Sequence, residues 1–177
     1  MYESLDLLPA IDHPELLAPP VLAVIETHLP DAQVFIIDPT LSDTAALMAA
    51  TGLPAEMMCN AVMLTGLRSG EQRQVCCLTL FHRRIDVNNV VKRTLDVRKA
   101  SFAPMDYAVE VSGMEYGAIT PVGLPADWPV WLDEPTAAAE TLIMGSGIRS
   151  SKLVLSGADL LKLPNVRLVE GLTNPIE

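Results

Sequence analysis

The sequence has no apolar run approaching the roughly 18 residues that a bilayer crossing requires, although half of its 177 residues are hydrophobic. Its first residues, MYESLDLLPAIDHPELL, lack the basic start of a secretory signal. The expectation is therefore a soluble, cytoplasmic protein with no membrane partner. Cysteine is scarce. Cys59, Cys76 and Cys77 are odd in number, two are adjacent, and all sit in apolar surroundings, which suits reduced core thiols and not a disulfide framework. His13, His28 and His82 form no cluster and there is no Cys-x-x-Cys spacing, so neither a metal nor a cofactor is expected. Internal repeats and low-complexity linkers are also missing. One domain over 1–177 is expected, with residues 1–30 as an N-terminal helical extension.

Positive charge is in short supply as well. Twelve Lys and Arg face 22 Asp and Glu, a net charge of −10, which excludes nucleic-acid binding by a broad basic face. A local site stays open, because eight of the twelve cations fall in two groups. Arg83, Arg84, Lys92, Arg93, Arg98 and Lys99 form one, Arg149 and Lys152 the other. Taken alone, the first group reads as a solvated helix face.

What is present is a succession of short elements. Apolar residues at helical spacing predict a helix from Pro20 to His28, and the β-branched run Ala32 to Asp38 predicts a strand. Ser42 or Asp43 caps a helix that ends at Gly52. MMCNAVMLTG and RQVCCLTLFH, separated by LRSGEQ, read as a hairpin too continuously apolar to have a wet face. Asp86 caps a helix through VNNVVKRTLD, and Pro104 opens another through YAVEVSG. A strand at Pro129 to Asp133, a hairpin from TLIMGSG and SKLVL, a helix at ADLLKL and a strand at VRLVEGL complete the chain. The order does not alternate strand and helix regularly. It fits an α+β fold, one domain with a mixed, mostly antiparallel central sheet flanked by helices.

Three features stand out from this background. Ser112 to Gly123, SGMEYGAITPVG, packs Gly113, Gly117, Gly123 and Pro121 into twelve positions, a composition suited to bringing backbone close to a ligand or to a tight crossing. GSGIRSSK, from Gly145 to Lys152, lacks the spacing of a Walker A loop. It is either a solvent-facing turn or a site in which glycine amides act as donors and Lys152 as a point charge. Asn60 interrupts an apolar strand, where an amide without partners would be costly. No Ser/His/Asp or Cys/His set is arguable from spacing, and Cys59 has no identifiable activating base.

SGMEYGAITPVG, the following WPVWLDE and LIMGSGIRSSKLVLSGADLLKL resemble the YbaK/ProX family of aminoacyl-tRNA deacylases, also called the YbaK/EbsC or prolyl-tRNA synthetase-associated domain. The resemblance runs from about Thr44 to Leu163 and is most specific at Gly113, Gly117, Pro121 and Gly123. It implies hydrolysis of the ester of mischarged tRNA in trans, without metal or cofactor, in a pocket beneath the glycine stretch. The implied partner is a tRNA acceptor end, with an aminoacyl-tRNA synthetase as a further candidate. Implied substrate-binding residues are Ser112, Gly113, Gly117, Ala118, Ile119, Pro121, Gly123, Gly145, Ser146, Gly147 and Arg149. The sequence departs from the family where its core strand usually carries lysine, here Asn60, and where it often has aspartate, here Lys152. Lys152 is expected to supply the missing charge from the neighbouring hairpin, with Asn60 as its hydrogen-bond partner and the two as the catalytic pair. A non-catalytic tRNA- or synthetase-binding module and a small-molecule or nucleotide-binding regulator are the competing readings.

Overall fold

Residues 5–176 are described by a computed structural model of the chain. They run β1 (Leu8–Pro9), α1 (Pro19–His28), β2 (Gln33–Ile36), α2 (Thr44–Thr51), β3 (Cys59–Arg68), β4 (Glu71–Leu80), β5 (Arg83–Ile85), α3 (Lys92–Thr94), β6 (Ala100–Phe102), α4 (Met105–Ser112), β7 (Val130–Leu132), α5 (Glu134–Ala137), β8 (Leu142–Gly145), β9 (Ser151–Leu155), α6 (Gly157–Leu160), β10 (Val166–Leu168) and β11 (Thr173–Pro175).

The hairpin of β3 and β4 is the axis of the fold. Its register is unbroken from Cys59↔Leu80 to Arg68↔Glu71. Ser69 and Gly70 between the strands both have positive φ, 54° and 86°, which matches the right-handed twist that a two-residue hairpin turn needs. As the apolar runs predict, the pair lies inside a five-stranded sheet, in the order β10-β7-β4-β3-β6. A four-stranded sheet, β1-β2-β9-β8, is the second layer, and β5 and β11 form a small ribbon. The pairings of β7 with β4 and β10 are parallel and all others between strands are antiparallel. This is the mixed, mostly antiparallel α+β class expected. The β structure divides into two main sheets, which share the Met58↔Ile143 bridge and one buried core that includes Leu78 of β4 and Leu153 of β9.

Local signals explain most boundaries. Asp43 caps α2 by accepting from the Ala46 amide at 3.0 Å, and Gly52 ends the helix at φ 68°. Ser156 and Asp159 form a capping box on α6. The helix expected after Asp86 is not regular. It opens as a wide π turn, Val87–Val91, in which the Val91 amide reaches back to the Asp86 carbonyl at 3.0 Å, and only Lys92–Thr94 is α-helical.

The N-terminal segment is not helical throughout. Residues 1–4 of the expected 1–30 extension lie outside the described residues. The remainder holds β1, two 3-10 turns and α1. β1 pairs with β2 through Leu8↔Val34, while Val21 and Ile25 of α1 are fully buried in the main core with Trp128 and Leu78. Each such aliphatic side chain contributes about 1.5–3 kcal/mol by leaving water.

The C-terminal ribbon is held by a buried polar knot. The Arg83 guanidinium donates to Thr173 Oγ1 at 2.7 Å and to the Thr173 carbonyl at 3.0 Å. Thr173 Oγ1 donates in turn to Asp133, which lies 3.7 Å from Arg83 and caps α5 through the Thr136 amide.

Candidate functional site

An open cleft of about 680 Å³ lies along the seam between the two sheets. One wall is β3, with Asn60 to Met63; the opposite wall is Ile143 and Gly145 of β8 with Lys152 of β9. The start of α2 and the crossing at Tyr116, Gly117 and Ile119 close its ends.

Strand alternation decides where Lys152 goes. Its neighbours Ser151 and Leu153 point to the other face, where Ser151 Oγ donates to the Leu16 carbonyl at 2.6 Å and Leu153 joins the main core. Lys152 therefore shares its face with Val154, in the small core that also contains Ile143 and Phe35. It is only 4% exposed. Its ammonium donates to the Ser42 carbonyl at 2.7 Å, and among the described residues it has no carboxylate within salt-bridge distance. Burial pulls its pKa down from 10.5 to about 8, with the nearby Asp43 carboxylate opposing the shift.

Gly145 stands directly opposite Lys152 in the β8–β9 pairing. A Cβ there would strike the carbonyls of Ala118 and Ile119, so the glycine lets the crossing lie flat on the strand. Gly117, at φ 85°, sits with its Cβ direction 3.4 Å from an Arg149 nitrogen and 3.5 Å from Ser42 Oγ. The exposed Arg149 guanidinium reaches the carbonyls of Pro39 at 3.1 Å and Tyr116 at 3.4 Å, tying the GSGIRSSK loop to the crossing.

The expected hydrogen bond between Asn60 and Lys152 is not formed. Both line the cleft, but Asn60 Oδ1 accepts from Thr44 Oγ1 at 2.7 Å while Lys152 is taken by Ser42. The segment from Ser42 to Thr44, leading into α2, thus meets both residues. Nothing in the strand pattern signals this, because the contacts span 16 and 110 residues.

The expected substrate-binding residues divide. Gly117, Ile119, Gly145 and Arg149 line the cleft. Ser112, Gly113, Ala118, Pro121, Gly123, Ser146 and Gly147 do not, and their contacts shape the walls instead. Ser112 Oγ accepts from the Met114 amide at 3.2 Å and Gly113 ends α4 at φ 65°. Pro121 is buried. Gly123, at φ 94°, lies against the backbone of Pro20. Ser146 Oγ is 2.7 Å from Ser151 Oγ, and Gly147 packs on Ala18.

The expected amide donors divide in the same way. The Gly147 amide is spent on the Ala118 carbonyl at 2.9 Å, and the Ala118 amide on the Glu115 carbonyl at 3.0 Å. Among the described residues the amides of Gly117 and Ile119 meet no protein acceptor.

Sequence reasoning missed the rim. Phe81, Phe102, Met105 and Tyr116 line the cleft, and Phe102 is 73% exposed. Single aromatics far apart in sequence carry no signal until β6, α4 and the crossing meet. Cys59 also lines the cleft, but burial pushes its thiol up to about 12, with the Asp133 charge adding to the shift. Among the described residues no His, Cys, Asp or Glu side chains cluster as a metal site would require, and no helix is long and apolar enough to cross a membrane.

Residues 38–163 match the model of a family described as an aminoacyl-tRNA editing domain. Among solved structures, the chain is similar to a candidate trans-editing enzyme for prolyl-tRNA synthetase, with 18% identity over 86% of this chain and 94% of that one, at a TM-score of 0.72. A protein described only as hypothetical gives 17% identity, coverage of 88% and 99%, and a TM-score of 0.75. A candidate signal-transduction protein from Marinobacter aquaeolei VT8 matches over 94% of this chain but 31% of its own length, with 14% identity and a TM-score of 0.58. At these identities the structural likeness speaks for the fold. No curated protein matches the sequence.

Proposed function

The chain belongs to the aminoacyl-tRNA editing domain family, and we propose that it hydrolyses, in trans, the ester that joins a wrongly attached amino acid to the terminal ribose of a tRNA. One observation carries this reading: a buried ammonium, Lys152, with no carboxylate in salt-bridge distance among the described residues, in a cleft also lined by Gly117 and Ile119, whose amides meet no protein acceptor among those residues.

The chemistry is an addition of water to the ester carbonyl carbon. Negative charge gathers on the carbonyl oxygen, the bond to the ribose oxygen breaks, and the products are the free amino acid and a tRNA end carrying a hydroxyl. An ammonium and two fixed amides suit the developing oxyanion, and they act more strongly in a partly dehydrated cleft than in water. One of the three Lys152 donors is committed to Ser42, which fixes the group and leaves two for substrate. Asn60, held by Thr44 through its carbonyl oxygen, keeps its amide donor for a ribose hydroxyl. Phe81, Phe102 and Tyr116 offer faces on which the terminal base can stack.

The test is deacylation of a panel of mischarged tRNAs by the wild type and by Lys152→Ala. The wild type is expected to clear at least one, and the variant to be slower by roughly 100-fold, the usual cost of one oxyanion donor. Equal rates for the two proteins would remove Lys152 from the chemistry. A wild type that binds tRNA but cleaves no member of the panel would make the chain a binding module.

A further inference from the structure

We propose that the cationic segment from Arg84 to Lys99 is a docking face for the phosphate backbone of a structured RNA, the acceptor arm that delivers its 3′ end to the cleft. The choice of RNA rests on the editing function proposed above; the position of the face rests on charge and geometry.

Six cations and two carboxylates lie between residues 83 and 99, a local charge of +4 in a chain of net −10. Of the two carboxylates, Asp96 is in ion pairs, with Arg73 at 2.8 Å and Arg68 at 3.6 Å, and Asp86 has only the neutral Asn89 as a partner among the described residues. Arg83 is committed to the Asp133 knot. That leaves Arg84, Lys92, Arg93, Arg98 and Lys99, all exposed and none in an ion pair among the described residues. Of the cations elsewhere, Lys162 pairs with Asp159 and Arg167 stacks on Trp131.

Three of the five free cations, Arg84, Arg98 and Lys99, gather about one strand. Strand β6 is the edge of the five-stranded sheet, and a concavity lies on each side of it. One is lined by Arg98 and Lys99, the other by Arg83, Arg84, Asn88 and Asn89 together with the Asp86 carboxylate. Ser101 borders both, and Phe102, the next residue, lines the second concavity and the Lys152 cleft alike. A polyanion lying across β6 would meet Arg98 and Lys99 on one flank and Arg84 on the other, and reach the cleft over an exposed aromatic ring. The Asn88 amide in the second concavity suits phosphate and ribose oxygens, while that of Asn89 is taken by Asp86. Gly66 of β3 holds this arrangement, since a Cβ there would come within 2.7 Å of the Lys99 carbonyl.

The experiment is binding of an uncharged acceptor-arm RNA hairpin by full-length protein, across a salt series. It needs no hydrolysis, so an inactive enzyme still tests the face, and a failed face leaves the deacylation test standing. The R84Q/R98Q/K99Q variant is expected to bind at least roughly tenfold more weakly at low salt, with a salt slope shallower by about 1 for each cation removed. K162Q/R167Q, which removes charge elsewhere, is expected to match the wild type, and thermal melts of both variants verify folding. Unchanged affinity and slope in the triple variant would overturn the proposal. So would equal losses in both variants, or a wild type that does not bind the hairpin at low salt.

Discussion

Lys152 donates to the carbonyl of Ser42, 110 residues away in sequence and next to the residue that caps α2. The bond ties the β8–β9 hairpin to the start of a helix and parks a positive charge where only 4% of the residue meets solvent. The Asp43 carboxylate, which caps α2, favours that charge without pairing with it.

This placement predicts a pH dependence. The lysine titrates near pH 10.5 when unfolded and near 8 when folded. Between those values the unfolded chain binds more protons, so stability rises with pH; below about 8 both states are charged and the full cost of burial is present. Relative to Lys152→Met, the wild type is expected to gain on the order of 3 kcal/mol across that window. Urea denaturation of both proteins from pH 7 to 10.5 measures the difference, and a flat line would deny that the lysine is buried as a cation. Deacylation, corrected for spontaneous ester hydrolysis, is expected to fall as pH passes 8, because the neutral amine no longer stabilises an oxyanion. A rise would make Lys152 a base.

The glycines of the crossing separate into two kinds. Gly123→Ala places a Cβ 2.6 Å from the Pro20 backbone at a φ of 94°, so it is expected to lose at least about 2 kcal/mol in denaturant melts. Gly117→Ala finds its nearest neighbours at 3.4 and 3.5 Å and carries mainly the backbone strain of about 1–2 kcal/mol. Its larger effect is expected on deacylation, since the methyl group enters the cleft beside Ser42. The opposite ranking in either assay would exchange their roles.

Asp133 serves Arg83, Thr173 and the cap of α5 together. Asp133→Ala leaves a largely buried guanidinium unpaired and is expected to cost about 3–5 kcal/mol. An unfolding midpoint within error of the wild type would show that water replaces the carboxylate.

Burial pushes all three thiols upward, Cys59 and Cys77 to about 12. A thiol reagent at pH 8 is therefore expected to label the native protein no faster than it unfolds or opens locally, and to label three sites at once in urea. Rapid native labelling of Cys59 would mean that the cleft wall opens well beyond its resting form.

Much of the fold was legible because its signals are local. Asp43 and Gly52 bracket α2, Ser156 caps α6, and the paired apolar runs of β3 and β4 demand the centre of a sheet. The site was legible only as a set of anomalies. Asn60, Gly117, Gly145 and Lys152 do share a cleft, yet the partners of Asn60 and Lys152 come from the start of α2 and the turn just before it, which chemistry-bearing motifs had not singled out. Gly123 and Gly147 look like cleft residues in sequence because positive φ, not ligand contact, selects glycine there. The short β1 strand was invisible: two residues cannot display a period of two.

Asn60 belongs to one sheet and Lys152 to the other, and the two layers pack on one shared core in which Leu78 of β4 and Leu153 of β9 both lie. A ligand that grips both residues would act as a staple from one layer to the other. Candidate substrates can therefore be ranked before any turnover is seen, by how far they raise the melting temperature. At 100 times its dissociation constant, a ligand confined to the folded state adds about 2.7 kcal/mol.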